Sequence, residues 1–358
     1  MSTKIYVMTH KKFAAPSDTV YQPVFVGSAG KPDVDATYLR DDTGDNISSL
    51  NYRYGELTGI YWLWKNISAS TDDIIGVCHY RRFFSLEDSV ILCSAADYER
   101  MLDGADIITP PSYDAGQSYR EYYCEAHNRK ELELEEAAVE KLFPDDLEVY
   151  RRVMDGNTYY YGNLFVTRKK IFDAYCEWLF AILAEVIDHM DFTEYDAYHG
   201  RLCGFLSEQL LKVFIEKNRL KIHENRISIV DEKAESKELK AAMALLISRR
   251  QISEAYNMYE QVLKVRPDLL LPMSDVLREL PDIGGILASA VLEEKNGKDC
   301  LISYSTDMTE LIKHYRYIYS AISEDRIGDP DVKAYFEKTK VSAEMLDVIE
   351  RDIENRAD

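Results

Sequence analysis

The feature that most constrains this chain is an alternation. Over residues 1–230, short apolar runs of strand type take turns with amphipathic helical patterns. Such alternation folds into an α/β layer with a largely parallel sheet. KIYVMTH (4–10), PVFVG (23–27), DDIIGVCHY (72–80), ADIITPP (105–111) and YYYGNLFVTR (159–168) are the strand-type runs. Residues 51–66 carry Leu57, Ile60, Tyr61 and Trp64 at the spacing of one helix face. Residues 118–143, 171–187 and 202–216 are helical by pattern, and LKIHENRISIV (220–230) closes as extended chain.

From residue 231 the texture is helical throughout. Leu239, Met243 and Leu246 share one face, and Ile252, Ala255, Tyr256, Tyr259 and Leu263 another, before Pro267 stops the pattern. This pair resembles one tetratricopeptide unit, but no second copy follows, and such units need neighbours to stack on. The expected organisation is a domain over 1–230 and a helical accessory domain over 231–358.

Composition narrows the function. The 358 residues hold 43 basic and 63 acidic side chains, a net charge of −20. That surface repels phosphate backbones, so nucleic-acid binding is not expected. Docking on anionic lipid through the whole surface is disfavoured too, which leaves only local peripheral contact. The apolar stretch around Trp178-Leu179-Phe180 is cut off by Glu177 and Glu185, well short of the ~20 residues a bilayer needs. The start, MSTKIYVMTHKK, has no secretory pattern, so a cytoplasmic location is expected, with the inner membrane face in reach. The six cysteines are scattered without a CxxC, as reduced core thiols would be. Tyrosines number 26 against 12 phenylalanines, a bias that suits wet clefts and sugar rings as well as half-buried surfaces.

In a parallel α/β sheet, ligands bind beyond the carboxyl ends of the strands. Three strand exits stand out: His10-Lys11-Lys12, Ser28-Ala29-Gly30 and His79-Tyr80-Arg81-Arg82. HYRR is the sharpest, because paired arginines stay charged and grip phosphate with two hydrogen bonds each. The loop LRDDTGDNIS brings Asp41, Asp42, Gly44, Asp45 and Asn46 to a helix start. Small polar residues there could hold phosphate, ribose or a divalent cation; helix capping accounts for the same residues. Asp33-Val34-Asp35 and Asp329-Pro330-Asp331 have D-x-D spacing, but neither follows an apolar strand, so both read as surface turns. No GxGxxG, Walker loop, HExxH or GxSxG is present.

KIYVMTHKKF, LRDDTGDNISSLNYRYGELTGIYWLWKN, IIGVCHYRRFF, YYYGNLFVTRKKIFDAYCEWLFAIL and GRLCGFLSEQLL stand in order between about Lys4 and Lys221. This series resembles the bacterial capsular and exopolysaccharide biosynthesis proteins, long known as a domain of unknown function and now regarded as glycosyltransferases. Where this chain has Tyr54-Gly55-Glu56, that family often has a Cys before the Glu. The resemblance implies a GT-A-like fold: a Rossmann-type sandwich with a mostly parallel central sheet, followed here by an all-helical region. It implies a UDP-sugar donor, with galactose or galactofuranose favoured, and a saccharide or lipid-linked saccharide acceptor.

GT-A enzymes carry a metal-binding D-x-D where this chain has His79-Tyr80-Arg81-Arg82. Fixed cations can stabilise a leaving diphosphate as a metal does. The resemblance therefore makes His79, Arg81 and Arg82 catalytic candidates, with a divalent cation either dispensable or held by Asp42 and Asp45. His10, Lys11, Asp42, Asp45, Asn46, Tyr80 and Asn163, placed on the strand 162–165, are candidates for donor binding. Glu208 is the first candidate for the base that deprotonates the acceptor. His127, in a stretch with Tyr119, Tyr122 and Tyr123, is the second; His127 and Tyr122 could also bind acceptor. A different class remains open: a non-catalytic sugar-nucleotide sensor acting through its acidic helical C-terminus. Phosphoryl transfer would need a Walker-type loop or metal-holding carboxylates at a strand end, which the sequence lacks. Donor identity, stereochemistry and oligomeric state are not written in these motifs.

Overall fold

The computed structural model describes residues 2–86, 91–271 and 274–357. The chain divides into two compact units, Met1–Val230 and Asp231–Asp358.

The first unit opens with β1 (Thr3–Thr9), β2 (Tyr21–Phe25) and β3 (Leu39–Arg40). The short helix α1 (Asn51–Tyr54) and α2 (Leu57–Asn66) follow, then β4 (Ile74–His79) and β5 (Arg82–Phe84). Next come α3 (Ala95–Leu102), β6 (Ile107–Thr109), β7 (Tyr113–Asp114), α4 (Tyr119–Ala126), α5 (Arg129–Leu142) and α6 (Leu147–Asp155). The unit closes with β8 (Thr158–Tyr159), β9 (Phe165–Arg168), α7 (Lys169–His189), α8 (Leu202–Lys217), β10 (Ile222–Glu224) and β11 (Ile227–Ile229).

Among the described residues nine strands form one sheet, in the order β10-β6-β9-β4-β1-β2-β3, with β5 bridging β4 and β11. β1 runs parallel to β2 and β4, and β2 to β3. β9 is antiparallel to both neighbours, β4 and β6. The expected mainly parallel sheet is therefore present, but its centre carries one reversed strand. Ile5 and Val7 of β1, with Ile74 and Cys78 of β4, face one core; Tyr6, Met8, Ile75 and Val77 face the other. Both faces are covered, which is why these strands read as continuous apolar runs.

Several sequence patterns break where the backbone demands it. The helix expected over 51–66 is interrupted at Gly55, which has φ +56°. The pattern over 118–143 splits at His127-Asn128, because the Asn128 side chain accepts from the Lys130 N–H and starts a new helix. The run 159–168 splits into β8 and β9 around a loop. Residues 220–230 bend between two strands that join different neighbours.

The second unit contains α9 (Ala234–Ser248), α10 (Ile252–Val265), α11 (Glu279–Lys295), α12 (Cys300–Tyr304), α13 (Met308–Ser323), α14 (Pro330–Thr339) and α15 (Ala343–Ala357). No strand occurs there among the described residues. Met243, Ile247, Ile283, Ile286, Leu287, Leu311, Tyr315 and Ile349 form its core. Gly285 lets Tyr315 lie directly on α11, since a Cβ there would strike the Tyr315 ring. Lys240 ties the start of the unit together through Glu232 at 2.7 Å, Asp275 at 2.6 Å and Glu279 at 2.9 Å. Among the described residues, no helix of either unit is long and apolar enough to cross a membrane.

Candidate functional site

β1 and β4 are parallel neighbours, so their carboxyl ends open side by side. That register brings two of the three sequence-picked strand exits together. The His10 ring meets the edge of Tyr80 at 5.4 Å between centroids. Lys11 Nζ lies 5.1 Å from the centre of that ring and the Arg81 guanidinium 5.6 Å. Tyr80 is the hub of a small cationic rim.

HYRR is not a loose strand exit. His79 ends β4 and pairs directly with Arg82, the first residue of β5. The segment is a tight hairpin with Tyr80 and Arg81 at its tip. This geometry sends both arginines inward: Arg81 is 8% exposed and Arg82 6%. Arg82 lies 4.8 Å from the ring centre of Tyr161, while its Nε finds no hydrogen-bond partner among the described residues. Gly162 makes room for it. Its φ is +75°, and a Cβ there would sit 2.9 Å from Arg82 Nη1.

Asn163 follows in the same loop, not on a strand as the sequence suggested, and it is 2% exposed. The turn at Gly162 leaves it just ahead of β9. Its side-chain N–H donates to Glu56 Oε1 at 2.7 Å and to the Gly204 carbonyl at 3.2 Å. Its Oδ1 accepts from the Ser207 hydroxyl at 2.9 Å. The Asn163 amide is thus committed to Glu56 and the first turns of α8.

Glu56 is the residue that sequence reading passed over. It stands at the start of α2 and is half-buried, as is His79. Burial alone would raise its pKa, but His79, Arg201 and the Asn163 hydrogen bond outweigh it, and the carboxyl titrates below its ordinary value. His79 is pushed down to about 4, first by burial and then by Arg82, Arg81 and Arg201, against the pull of Glu56. At neutral pH the site holds an ionised Glu56 beside a neutral imidazole. The signal in the sequence was thin: one Glu ahead of an apolar helix reads as a helix start.

A second network fixes this geometry. Asp41 is fully buried and accepts from the Gly27 N–H (2.8 Å), the Ser28 N–H (3.0 Å) and hydroxyl (2.8 Å), the Ser48 hydroxyl (2.5 Å) and the Thr58 hydroxyl (2.6 Å). It clamps the β2 exit onto the first turn of α2, two residues past Glu56. Asp41→Ala strips the Gly27 and Ser28 N–H groups and the Ser28 and Ser48 hydroxyls of this acceptor and leaves Thr58 only the Gly55 carbonyl. It is expected to cost about 3 kcal/mol, read by urea denaturation; a loss under 1 kcal/mol would contradict the clamp.

The other candidates lie elsewhere. Asp42 is held by Arg40, which also binds Asp33, and its pKa is lowered chiefly by that Arg40 hydrogen bond. Asp45 accepts from the Tyr61 hydroxyl at 3.2 Å, and Asn46 caps its own loop through the Ser48 N–H. These bonds stay within the loop and α2. Asp35 pairs with Lys12, and Asp329 stands just before α14, ahead of Pro330, as surface turns do. Glu208 lies one helical turn beyond Gly204, where its charge helps raise the Tyr119, Tyr122 and Tyr159 hydroxyls behind the main effect of burial. Tyr122 stacks on Tyr159 at 4.7 Å. His127 packs on Phe205 at 4.4 Å and beside His199. Among the described residues, no three His, Cys, Asp or Glu side chains gather as metal ligands would.

No curated protein matches the chain by sequence. A solved structure described as the apo form of WbbM, a bifunctional glycosyltransferase, is similar, with a TM-score of 0.58 and 31% identity. The match covers 65% of this chain and 46% of that one, so this chain spans less than half the length of the protein it resembles. With the mixed, mainly co-directional sheet, this likeness establishes the GT-A-like α/β class. Residues 4–219, more than half of the chain, match the family described as a domain of unknown function, DUF4422, and the chain belongs to that family.

Proposed function

We propose that the first unit is a glycosyltransferase that moves a hexosyl group from a nucleotide-diphosphate sugar to a saccharide acceptor. The observation that carries this is the buried Arg82, with Arg81 beside it, at the carboxyl edge of the sheet next to Glu56 and His79. A cation sunk this far costs several kcal/mol unless an anion meets it. A diphosphate suits the fork geometry of guanidinium groups. The likeness to a bifunctional glycosyltransferase supports the reading.

In this proposal Arg81, Arg82, Lys11 and His10 hold the diphosphate and stabilise it as it leaves. Tyr80 provides the ring on which that rim is built. A UDP donor carrying galactose or galactofuranose is the favoured substrate, and a saccharide or lipid-linked acceptor of a surface polysaccharide the favoured partner. Asp42 and Asp45, tied to Arg40 and to the Tyr61 hydroxyl away from this rim, are the carboxylates that would take a divalent cation, if turnover uses one.

A thermal-shift panel tests the donor site. UDP, UDP-galactose, UDP-galactofuranose, UDP-glucose and GDP-mannose are each added with Mn²⁺ or with EDTA. A ligand at 100 times its dissociation constant stabilises by about 2.7 kcal/mol. The expected result is a uridine-specific shift that survives EDTA. A shift that needs Mn²⁺ moves the weight to Asp42 and Asp45. No shift with any nucleotide, from folded protein, refutes the transferase and favours the interaction-protein reading.

A further inference from the structure

We propose that Glu56 is the base that takes the proton from the acceptor hydroxyl. The inference rests on the transferase reading and concerns the same cleft. Three features of position carry it. Glu56 sits beside His79, at the base of the hairpin that carries the buried Arg81 and Arg82. One carboxylate oxygen, Oε1, is fixed by Asn163 at 2.7 Å. The whole carboxylate packs against Gly204, where an added Cβ would stand 3.8 Å from Oε2 and 3.9 Å from Oε1.

Asn163 is itself pinned by Gly204 and Ser207, so the carboxylate is held from behind on rigid elements. A base must also remain partly accessible, and Glu56 is half-buried rather than sealed. Glu208, by comparison, faces a tyrosine cluster one turn further along α8.

The step balances without a co-reactant. The acceptor oxygen forms a bond to the anomeric carbon. The bond from that carbon to the diphosphate oxygen breaks, and the nucleoside diphosphate leaves with the electron pair against Arg81 and Arg82. The acceptor proton passes to the Glu56 carboxylate, at Oε2, and then to solvent. Direct displacement of this kind inverts the anomeric configuration. Asn163 acts as a positioning residue in this scheme.

The experiment uses the full chain and water as the acceptor. Release of UDP from UDP-galactose, UDP-galactofuranose and UDP-glucose is followed for wild type, Glu56→Gln, Glu208→Gln and Asn163→Ala. Glu56→Gln keeps an acceptor for the Asn163 N–H, so the fold is expected to hold, as checked by melting temperature. The expected result is a kcat drop of 100-fold or more for Glu56→Gln, with the UDP-induced thermal shift retained. Glu208→Gln is expected to stay within about threefold of wild type.

A pH profile separates proton transfer from mere support. Wild-type kcat is expected to hold until the pH falls below the ordinary carboxyl range, because Glu56 must be ionised and its pKa is lowered. Asn163→Ala removes a bond to the ionised form, so its acid limb is expected to move to higher pH. Retained turnover in Glu56→Gln, or loss in Glu208→Gln instead, overturns the assignment while leaving the transferase reading intact. A wild type that binds and splits none of the donors defeats both.

Discussion

Arg82→Met is expected to lower kcat by about a thousandfold, roughly 4 kcal/mol of transition-state stabilisation, while leaving the protein as stable as before or more so. The two signs have one cause. Arg82 is 6% exposed, and its Nε has no hydrogen-bond partner among the described residues. A buried cation in that state burdens the fold, and an apolar side chain of similar length removes the burden. Methionine can keep the packing on Tyr161 that the arginine stem provides.

What methionine cannot do is meet the charge that grows on a departing diphosphate. Arg82→Lys is expected to recover little, because a point charge does not reproduce the two-pronged grip. Arg81→Ala is expected to act in the same direction, and the double variant to lose less than the product of the two, since both serve one anion. Steady-state kinetics with a UDP-sugar, together with melting curves, check this. Full turnover with normal donor affinity in either single variant would end the diphosphate assignment. A fall in melting temperature matching the loss of activity would mean that Arg82 is structural.

The second large effect concerns stability and pH. Glu135 on α5 has no exposed surface, and its Oε2 accepts from the Tyr150 hydroxyl at 2.8 Å. Burial pushes its pKa up to about 8, with Tyr150 and Arg120 opposing and Glu131, one turn away, adding to the rise. The unfolded chain ionises this carboxyl near 4.5, whereas the folded chain holds the proton. The folded state therefore loses ground as pH rises from 4.5 through 8, and nothing is lost below 4.5.

Glu135→Gln keeps an oxygen for Tyr150 and cannot ionise. The variant is expected to match wild type at pH 4.5 and to exceed it increasingly up to pH 8. The gain reaches at most about 4 kcal/mol, because buried groups relax. Urea denaturation across that range reads it directly. A difference that does not change with pH, or a variant weaker throughout, would show that Glu135 is ionised in the folded protein. Glu135 lies among Tyr123, Tyr150 and Glu131 on the helix layer, so catalysis is not expected to follow it.

Much of the frame was legible from local pattern. β1, β2, β4 and β6 are apolar runs because both sheet faces are covered, and α7 and α8 are long apolar-faced helices for the same reason. HYRR was readable as a cationic cluster at the sheet edge, since it directly follows a buried strand. His10-Lys11 and HYRR were readable as strand exits at the ligand edge, but that they meet at Tyr80 follows from β1 lying beside β4.

Other parts were hidden because distant residues decide them. The reversal of β9 depends on which partners lie beside it, and an apolar run reads alike in either direction. HYRR could have been an open loop or a hairpin; the antiparallel pairing of His79 with Arg82 chose the hairpin and turned the arginines inward. Asn163 looked like a strand residue until Gly162 took a positive φ.

Glu56 is the sharpest case. Ahead of LTGIYW it is indistinguishable from a solvated helix start. Its partner Asn163 is 107 residues away in the chain, and Arg201 and Gly204 lie further still. The sequence by itself determined the layers, the sheet edge and the cluster of cations placed there, because these follow from periodicity and from charge beside burial. Only the tertiary structure decided which carboxylate stands there, because a carboxylate's surroundings are built from segments that no local pattern connects.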